Sequence, residues 1–259
     1  SADSGAGAGS AAAEREGASE MHSSIEAQLA PLLKELDSGF GSGYSAILFG
    51  SAAREDFVPG HSDVNLMLVL PVLDAAALRK LSPAFARWRK TGNPPPLLLT
   101  PAELVRSADA FPLEIHDLKS SHVVVRGADP LPGLAVRPAD LRVALERDAR
   151  GKLLRLRQGY AEAEGKGDRL TQLARLTVGG VLLLCRAVLA LARRPVPADP
   201  VAMIGDVAGL AGFPPAALAE LAARRGEGSW RCTPERFEAY LATVERLVGF
   251  LDELHMGEQ

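Results

Sequence analysis

Apolar residues recur with two different periods along the chain, and this difference predicts where helices and strands lie. Between residues 24 and 36 the apolar positions follow helical spacing, and a glycine-rich run at 39–43 ends the pattern. The segments 44–49 and 63–70 are instead short and apolar, which is typical of strands. The pattern therefore predicts one helix followed by two strands.

Proline and short apolar patterns mark the segment that follows. Residues 74–90 show helical spacing, and three consecutive prolines predict an extended approach to the apolar run 97–99. Thr100 and Pro101 match the cap and the first position of a further helix. Alternation of apolar and polar residues over 113–118 predicts another strand.

The composition changes after a Pro- and Gly-rich stretch, beyond which long amphipathic segments replace the strand patterns. Helices are predicted over 138–160, 168–193, 199–211, 215–225 and 234–255. We therefore expect an α+β fold in two domains, a small mixed-sheet domain at 21–130 and an all-helical bundle at 131–259. Residues 1–20 are small and polar without the apolar run of a signal peptide, which predicts a disordered tail.

Composition and charge restrict the partners more than they define the function. The 259 residues carry a formal net charge of −3 and a pI near 6.0, so the chain as a whole does not attract nucleic acid. The most apolar stretch, 176–192, is interrupted by glycines and an arginine and is too short for a membrane span, which favours a buried bundle helix. Two cysteines, Cys185 and Cys232, fit free thiols in the cytoplasm.

A Gly-Ser pair lies where the first predicted strand turns into a short helix. Gly50 permits close approach of a ligand to the backbone, and the Ser51 hydroxyl can donate to a phosphate oxygen, so the turn suits a phosphate group. Arg54 and Ser62 are further candidate phosphate donors near it. A turn of this kind also occurs as an ordinary capped turn, and the pair alone does not decide between the two interpretations.

The second predicted strand begins with polar residues on one face. Asp63 and Asn65 are two positions apart, so their side-chain oxygens are expected on the same side of the sheet. Carboxylates and substrate phosphates are the ligands that Mg²⁺ prefers, which predicts a magnesium site facing the Gly-Ser turn. On the later predicted strand Glu114 shares a face with His116, and Glu114 is the candidate general base or third metal ligand.

Taken together, these motifs resemble a known superfamily. The runs FGSAARED at 49–56, DVN at 63–65 and PLEIHDL at 112–118 are similar to the nucleotidyltransferases of the DNA polymerase beta type, nearest in pattern to the aminoglycoside adenylyltransferases. The resemblance implies magnesium-dependent transfer of a nucleoside monophosphate from ATP or another nucleoside triphosphate to a hydroxyl group of a small molecule or protein. It also implies a helical substrate-binding domain after the catalytic one.

The resemblance assigns roles to individual residues. Gly50 and Ser51 would contact the nucleotide phosphates, and Asp63 and Glu114 would be the catalytic, metal-binding carboxylates. The family's second metal-binding aspartate is replaced by Asn65, whose amide oxygen can bind a cation but carries no charge. Two interpretations remain open, an impaired transferase and a catalytically silent module that binds a nucleotide or a protein.

The cations of the first bundle helix admit two interpretations. Six of them lie between acidic residues, namely Arg142, Arg147, Arg150, Lys152, Arg155 and Arg157. Such a run is typical of a solvated face with ion pairs between successive turns. The alternative is that some of these cations bind a triphosphate or an anionic acceptor. The apolar bundle helices fit a core and, as a second interpretation, contact with another copy of the chain in a homodimer.

Overall fold

A computed structural model describes residues 6–54, 57 and 62–254, with side chains from residue 23 onward. Contacts between Cα atoms divide the chain into two compact units. The first holds the residues up to Val105 and Ser121–Pro132, and the second holds Arg106–Ser120 and the residues from Gly133 onward. Each unit is therefore built from two separate segments of the chain.

The first unit contains a four-stranded mixed sheet. Its strands are β1 Ser45–Phe49, β2 Asn65–Val69, β3 Leu97–Leu99 and β4 His122–Arg126. They lie in the order β3-β2-β1-β4, with β1 antiparallel to both β2 and β4, and β3 parallel to β2. The two strands predicted at 44–49 and 63–70 are confirmed, and β2 begins two residues later than its pattern. The run 97–99, for which the prolines predicted only an extended approach, forms strand β3.

Helices cover one face of this sheet. They are α1 Ala6–Phe40 and α2 Ala75–Trp88. The further helix that Thr100 and Pro101 predicted is α3 Pro101–Ala110. Buried residues from the sheet and these helices form one cluster that includes Leu32, Leu36, Leu48, Leu68 and Trp88. Thr100 caps α3 as predicted, since Glu103 N–H donates to the Thr100 hydroxyl oxygen over 3.2 Å.

The first helix begins well before the position that the apolar spacing predicts. Its backbone is helical from Ala6, and so takes in most of the 1–20 segment that we predicted to be disordered; residues 1–5 lie outside the described part of the chain. The extension is rich in alanine, the residue with the highest helix propensity.

The strand predicted at 113–118 is wrong, because this segment is helical. It lies in α4, Pro112–Ser120, which continues almost directly from α3: Phe111 N–H donates to the Ser107 carbonyl over 2.8 Å. Pro112 occupies the first turn, where a missing N–H leaves no hydrogen bond unmade. An alternation of only six residues did not distinguish a strand from a short helix with one buried side.

The second unit is a helical bundle, and all five predicted bundle helices are confirmed. They are α5 Pro138–Ala163, α6 Gly167–Leu191, α7 Pro200–Ala211, α8 Ala216–Arg224 and α9 Pro234–Glu253. Leu145, Leu182, Val188, Phe237 and Tyr240 are fully buried in its core. Among the described residues α6 alone is long and apolar enough to cross a membrane, and 56% of its most apolar window is buried inside the protein, as in the core helix of a bundle.

Candidate functional site

The turn after β1 has the backbone geometry that the Gly-Ser pair predicts. Gly50 has a φ of +73°, in the left-handed region that favours glycine, and it starts a short 3₁₀ turn, Gly50–Ala53. Gly50 is buried and Ser51 is half-buried. Arg54 N–H closes the turn by donating to the Ser51 carbonyl over 3.1 Å. This conformation is the reason that the turn favours glycine at position 50.

The side chain of Asn65 lies against this turn. Phe49, the residue before Gly50, lies directly opposite Asn65 in the antiparallel pairing of β1 with β2. A Cβ atom placed on Gly50 would lie 2.8 Å from Asn65 Nδ2, too close for an ordinary contact. The structure thus brings together Gly50 and Asn65, which the sequence placed at the same site from two separate motifs.

We expect Gly50→Ala to lower the free energy of unfolding by about 1–3 kcal/mol, because alanine is strained at this φ and its methyl group meets the Asn65 amide. In an Asn65→Ala background the methyl group has room, so the penalty should shrink by about 1 kcal/mol. Urea denaturation of the four proteins in this cycle measures the difference. An equal penalty in both backgrounds would show that the amide contact has no part in it.

Hydrogen bonds hold the segment that leads into β2. Val64 N–H donates to Asn93 Oδ1 over 2.9 Å, and Asn93 Nδ2 donates to Gln28 Oε1 over 2.7 Å, so the segment is tied to α1. Asp63 comes immediately before this anchor and is exposed. Its carboxylate is therefore accessible to solvent on a backbone that is fixed at the next residue.

The strand beside β2 carries leucines where a carboxylate could have completed the site. Leu97 is the partner of Met67, and Leu99 is the partner of Val69. Paired residues point to the same face, and residues two apart in a strand share it, so both leucines are on the face of Asn65. Strand β3 therefore adds apolar surface and no metal ligand to this face.

His122 and Asp129 form a hydrogen-bonded pair beside the turn, and sequence reasoning missed both. His122 starts β4 directly opposite Phe49, and its Nε2 lies 3.1 Å from Asp129 Oδ2. Burial acts to raise the pKa of Asp129, but the Leu131 N–H bond and the histidine outweigh it, so the pKa falls below its ordinary value. Asp129 therefore stays a carboxylate that can orient the ring. The valine-rich run after His122 was the signal that could have revealed β4.

Another hydrogen bond ties β4 to the Gly-Ser turn. The Ser121 hydroxyl donates to the Ala53 carbonyl over 2.9 Å, at the end of the 3₁₀ turn. Arg54 and Ser62, the remaining candidate phosphate donors, are half-buried and each has an interaction partner. Their predicted contact with phosphate stays a prediction.

Glu114 lies in the second unit, on the first turn of α4, and is exposed. Since this segment is a helix, Glu114 and His116 do not share the strand face that the alternation predicted. Burial lowers the pKa of His116, which favours the neutral ring at pH 7. Glu114 as a third carboxylate next to Asp63 remains a prediction.

The donor atoms in the sheet do not fit a pair of divalent cations. Asp63 supplies one carboxylate, Asn65 a neutral amide, and β3 only leucines. In the part of the chain that the structure describes, no three His, Cys, Asp or Glu residues cluster closely enough to hold a metal ion. Magnesium sites use one or two carboxylates with substrate phosphates, and two ions need shared anionic ligands. This set suits at most one weakly held cation.

The fold as a whole is similar to that of a known transferase. A solved structure of the spectinomycin adenyltransferase AAD(9) from Enterococcus faecialis, with ATP and spectinomycin, matches 87% of this chain and 98% of its own length, with a TM-score of 0.57 and 13% identity. No family model matches the sequence, and no curated protein matches it. The likeness shows a nucleotidyltransferase-like fold, in which a small mixed-sheet region is followed by a helical one.

Proposed function

We propose that this chain binds a nucleoside triphosphate at the Gly50–Ser51 turn and transfers its nucleoside monophosphate to a hydroxyl acceptor at a strongly reduced rate. The observation that carries the proposal is the contact of Asn65 with the left-handed Gly50. This contact brings together the Gly50-Ser51 turn and the Asp63 and Asn65 pair, the two motifs on which a nucleotide site in this fold would depend. The similar structure contains ATP, which supports a nucleotide as the ligand.

The binding step follows from the geometry of the turn. Ser51 is half-buried, and its hydroxyl and the N–H groups of the turn can donate to phosphate oxygens. Transfer by in-line attack depends on positioning and on neutralising negative charge rather than on covalent chemistry. Of the Asp63 and Asn65 pair only Asp63 would supply an anionic ligand for a cation, which is the reason for the reduced rate.

A small molecule is the favoured acceptor. The similar structure contains spectinomycin, a small molecule, together with ATP. A protein acceptor is the other class that the sequence left open.

The second candidate function is nucleotide binding without turnover. It is favoured by the neutral side chain of Asn65 and by β3, which places only leucines on the same face of the sheet. Both candidates require nucleotide binding at the same turn, and they differ in whether pyrophosphate is released.

Calorimetric titration of the full chain with ATP, GTP, CTP and UTP, with and without Mg²⁺, tests the proposal. We expect at least one nucleotide to bind, and Ser51→Ala to weaken that binding by about tenfold, since a hydrogen bond to a charged group is lost. Ser42→Ala is the matched control, because Ser42 is exposed and lies before β1, at the other end of the strand. Absence of binding, or equal effects of both substitutions, would reject the nucleotide site.

A further inference from the structure

The cations of α5 differ in whether an acidic side chain pairs with them. Four are paired, because Arg142, Arg150, Lys152 and Arg157 each lie within 4 Å of a carboxylate oxygen. Arg147 and Arg155 make no ion pair or hydrogen bond with any described residue. The solvated-face interpretation therefore explains four of the six cations and leaves two without a structural role.

The two unpaired arginines line the same cleft. This cleft has a volume of about 240 Å³ and lies between α4 and α5 in the second unit. Its walls are Leu113, Glu114, Ala144, Arg147, Asp148, Gly151 and Arg155. None of the four paired cations of α5 contributes to it.

The spacing of the arginines allows both to reach one ligand. Arg147, Gly151 and Arg155 are four residues apart in the helix and therefore lie on one face, with Gly151 in the middle. Arg155 turns back over the glycine, since its Nη2 lies 3.8 Å from where a Cβ of Gly151 would be. Gly151 adds no side chain to this part of the cleft, so the space there is open to a ligand, and guanidinium groups are well suited to bind the oxygens of a phosphate.

Glu114 adds a carboxylate to the cleft, which favours a ligand that carries a cationic group. It lies on the first turn of α4, is exposed, and makes no ion pair or hydrogen bond with a described residue. Asp148 is engaged by Lys152 Nζ over 2.7 Å, which leaves Glu114 as the cleft carboxylate open to a ligand. An ammonium group next to the phosphate of a ligand would satisfy it.

We propose that this cleft binds a small molecule in which a phosphate group lies close to an amine. Arg147 and Arg155 hold the phosphate, and Glu114 accepts a hydrogen bond from the ammonium group. All the residues that line the cleft belong to the second unit.

Titration of the full chain with phosphoethanolamine, inorganic phosphate and ethanolamine at low salt tests this site. We expect phosphoethanolamine to bind about tenfold more tightly than phosphate, and ethanolamine not to bind measurably. Arg147→Gln and Arg155→Gln should each weaken phosphoethanolamine binding by about tenfold or more. Arg157→Gln is the matched control, because it removes the same charge from the same helix at a residue paired with Glu245.

Two further variants separate charge from shape. Glu114→Gln should remove the advantage of phosphoethanolamine over phosphate and leave phosphate binding in place. Gly151→Leu should block both probes without changing any charge, since its side chain would fill the space under Arg155. All the arginines concerned are exposed, so circular dichroism should report an unchanged fold.

The outcomes distinguish this inference from the proposed function. Lack of phosphoethanolamine binding, or equal losses in Arg147→Gln and Arg157→Gln, would overturn the cleft and say nothing against nucleotide binding. If Ser51→Ala instead abolished phosphoethanolamine binding, the phosphate would bind at the Gly-Ser turn and the cleft assignment would be wrong. Unchanged ATP affinity in Arg147→Gln is expected, because no residue of the Gly50–Ser51 turn lines the cleft.

Discussion

Gly127→Ala is expected to lower the free energy of unfolding by about 3–5 kcal/mol, because backbone strain and overpacking add at this position. Gly127 follows β4 with a φ of +73°. A Cβ there would overlap the Tyr44 carbonyl oxygen and lie 2.9 Å from Ser45 Cα, and backbone atoms cannot move aside as a side-chain tip can. The loss should be measured by urea denaturation of the full chain.

Gly92→Ala is the matched control for this substitution. Gly92 has a similar φ of +80° in the same unit, but a Cβ on it would meet no atom within 4 Å. Only the strain of the left-handed conformation remains, about 1–2 kcal/mol. Similar losses in the two variants would show that the close approach of Gly127 to β1 does not restrict the backbone.

Asn65→Asp is expected to strengthen Mg²⁺-dependent nucleotide binding by about tenfold, or about 1.4 kcal/mol, and to raise pyrophosphate release by a similar factor. A second carboxylate would lie two residues from Asp63 on the same strand, where it can share a cation with a triphosphate. The measurement is nucleotide affinity and pyrophosphate release of the native chain and the variant across a Mg²⁺ titration.

Two controls accompany this variant. Asp63→Ala should abolish the Mg²⁺ dependence in either background, since no anionic ligand of the pair would remain in the native chain. Gln158→Glu adds the same charge at an exposed position of α5 and should change nothing. Pyrophosphate release by the native chain as fast as that of the variant would show that the Asn65 amide suffices as a metal ligand. If neither protein bound a nucleotide, both the transferase and the nucleotide-binding interpretations would fail.

Most of the secondary structure could be predicted from the sequence, because its signals are local. The bundle helices have long apolar faces, and side-chain caps such as Asp199 and Thr233 begin α7 and α9. Strand β1 is short, apolar and ended by Gly50, whose φ requires glycine. In each case neighbouring residues alone determine the conformation.

The sequence failed where the local signals were short. The six-residue pattern at 113–118 fits either a strand or a helix, and its conformation is decided by the preceding α3, whose Ser107 carbonyl accepts the Phe111 N–H. Strand β4 was missed although its valine-rich run is a local strand signal. That run can indicate a strand, but it does not indicate that the partner is β1, more than 70 residues earlier in the chain.

The sequence by itself determined the Gly-Ser turn, the Asp63 and Asn65 pair and the helical second half, because each depends on residues close together in the chain. Tertiary structure decided which side chains meet. Strand register places Asn65 against Gly50 and leucines of β3 on the same face, while His122 joins the turn only through β4. Register and helix packing are set by long-range burial and hydrogen bonding, which no single segment of the sequence encodes.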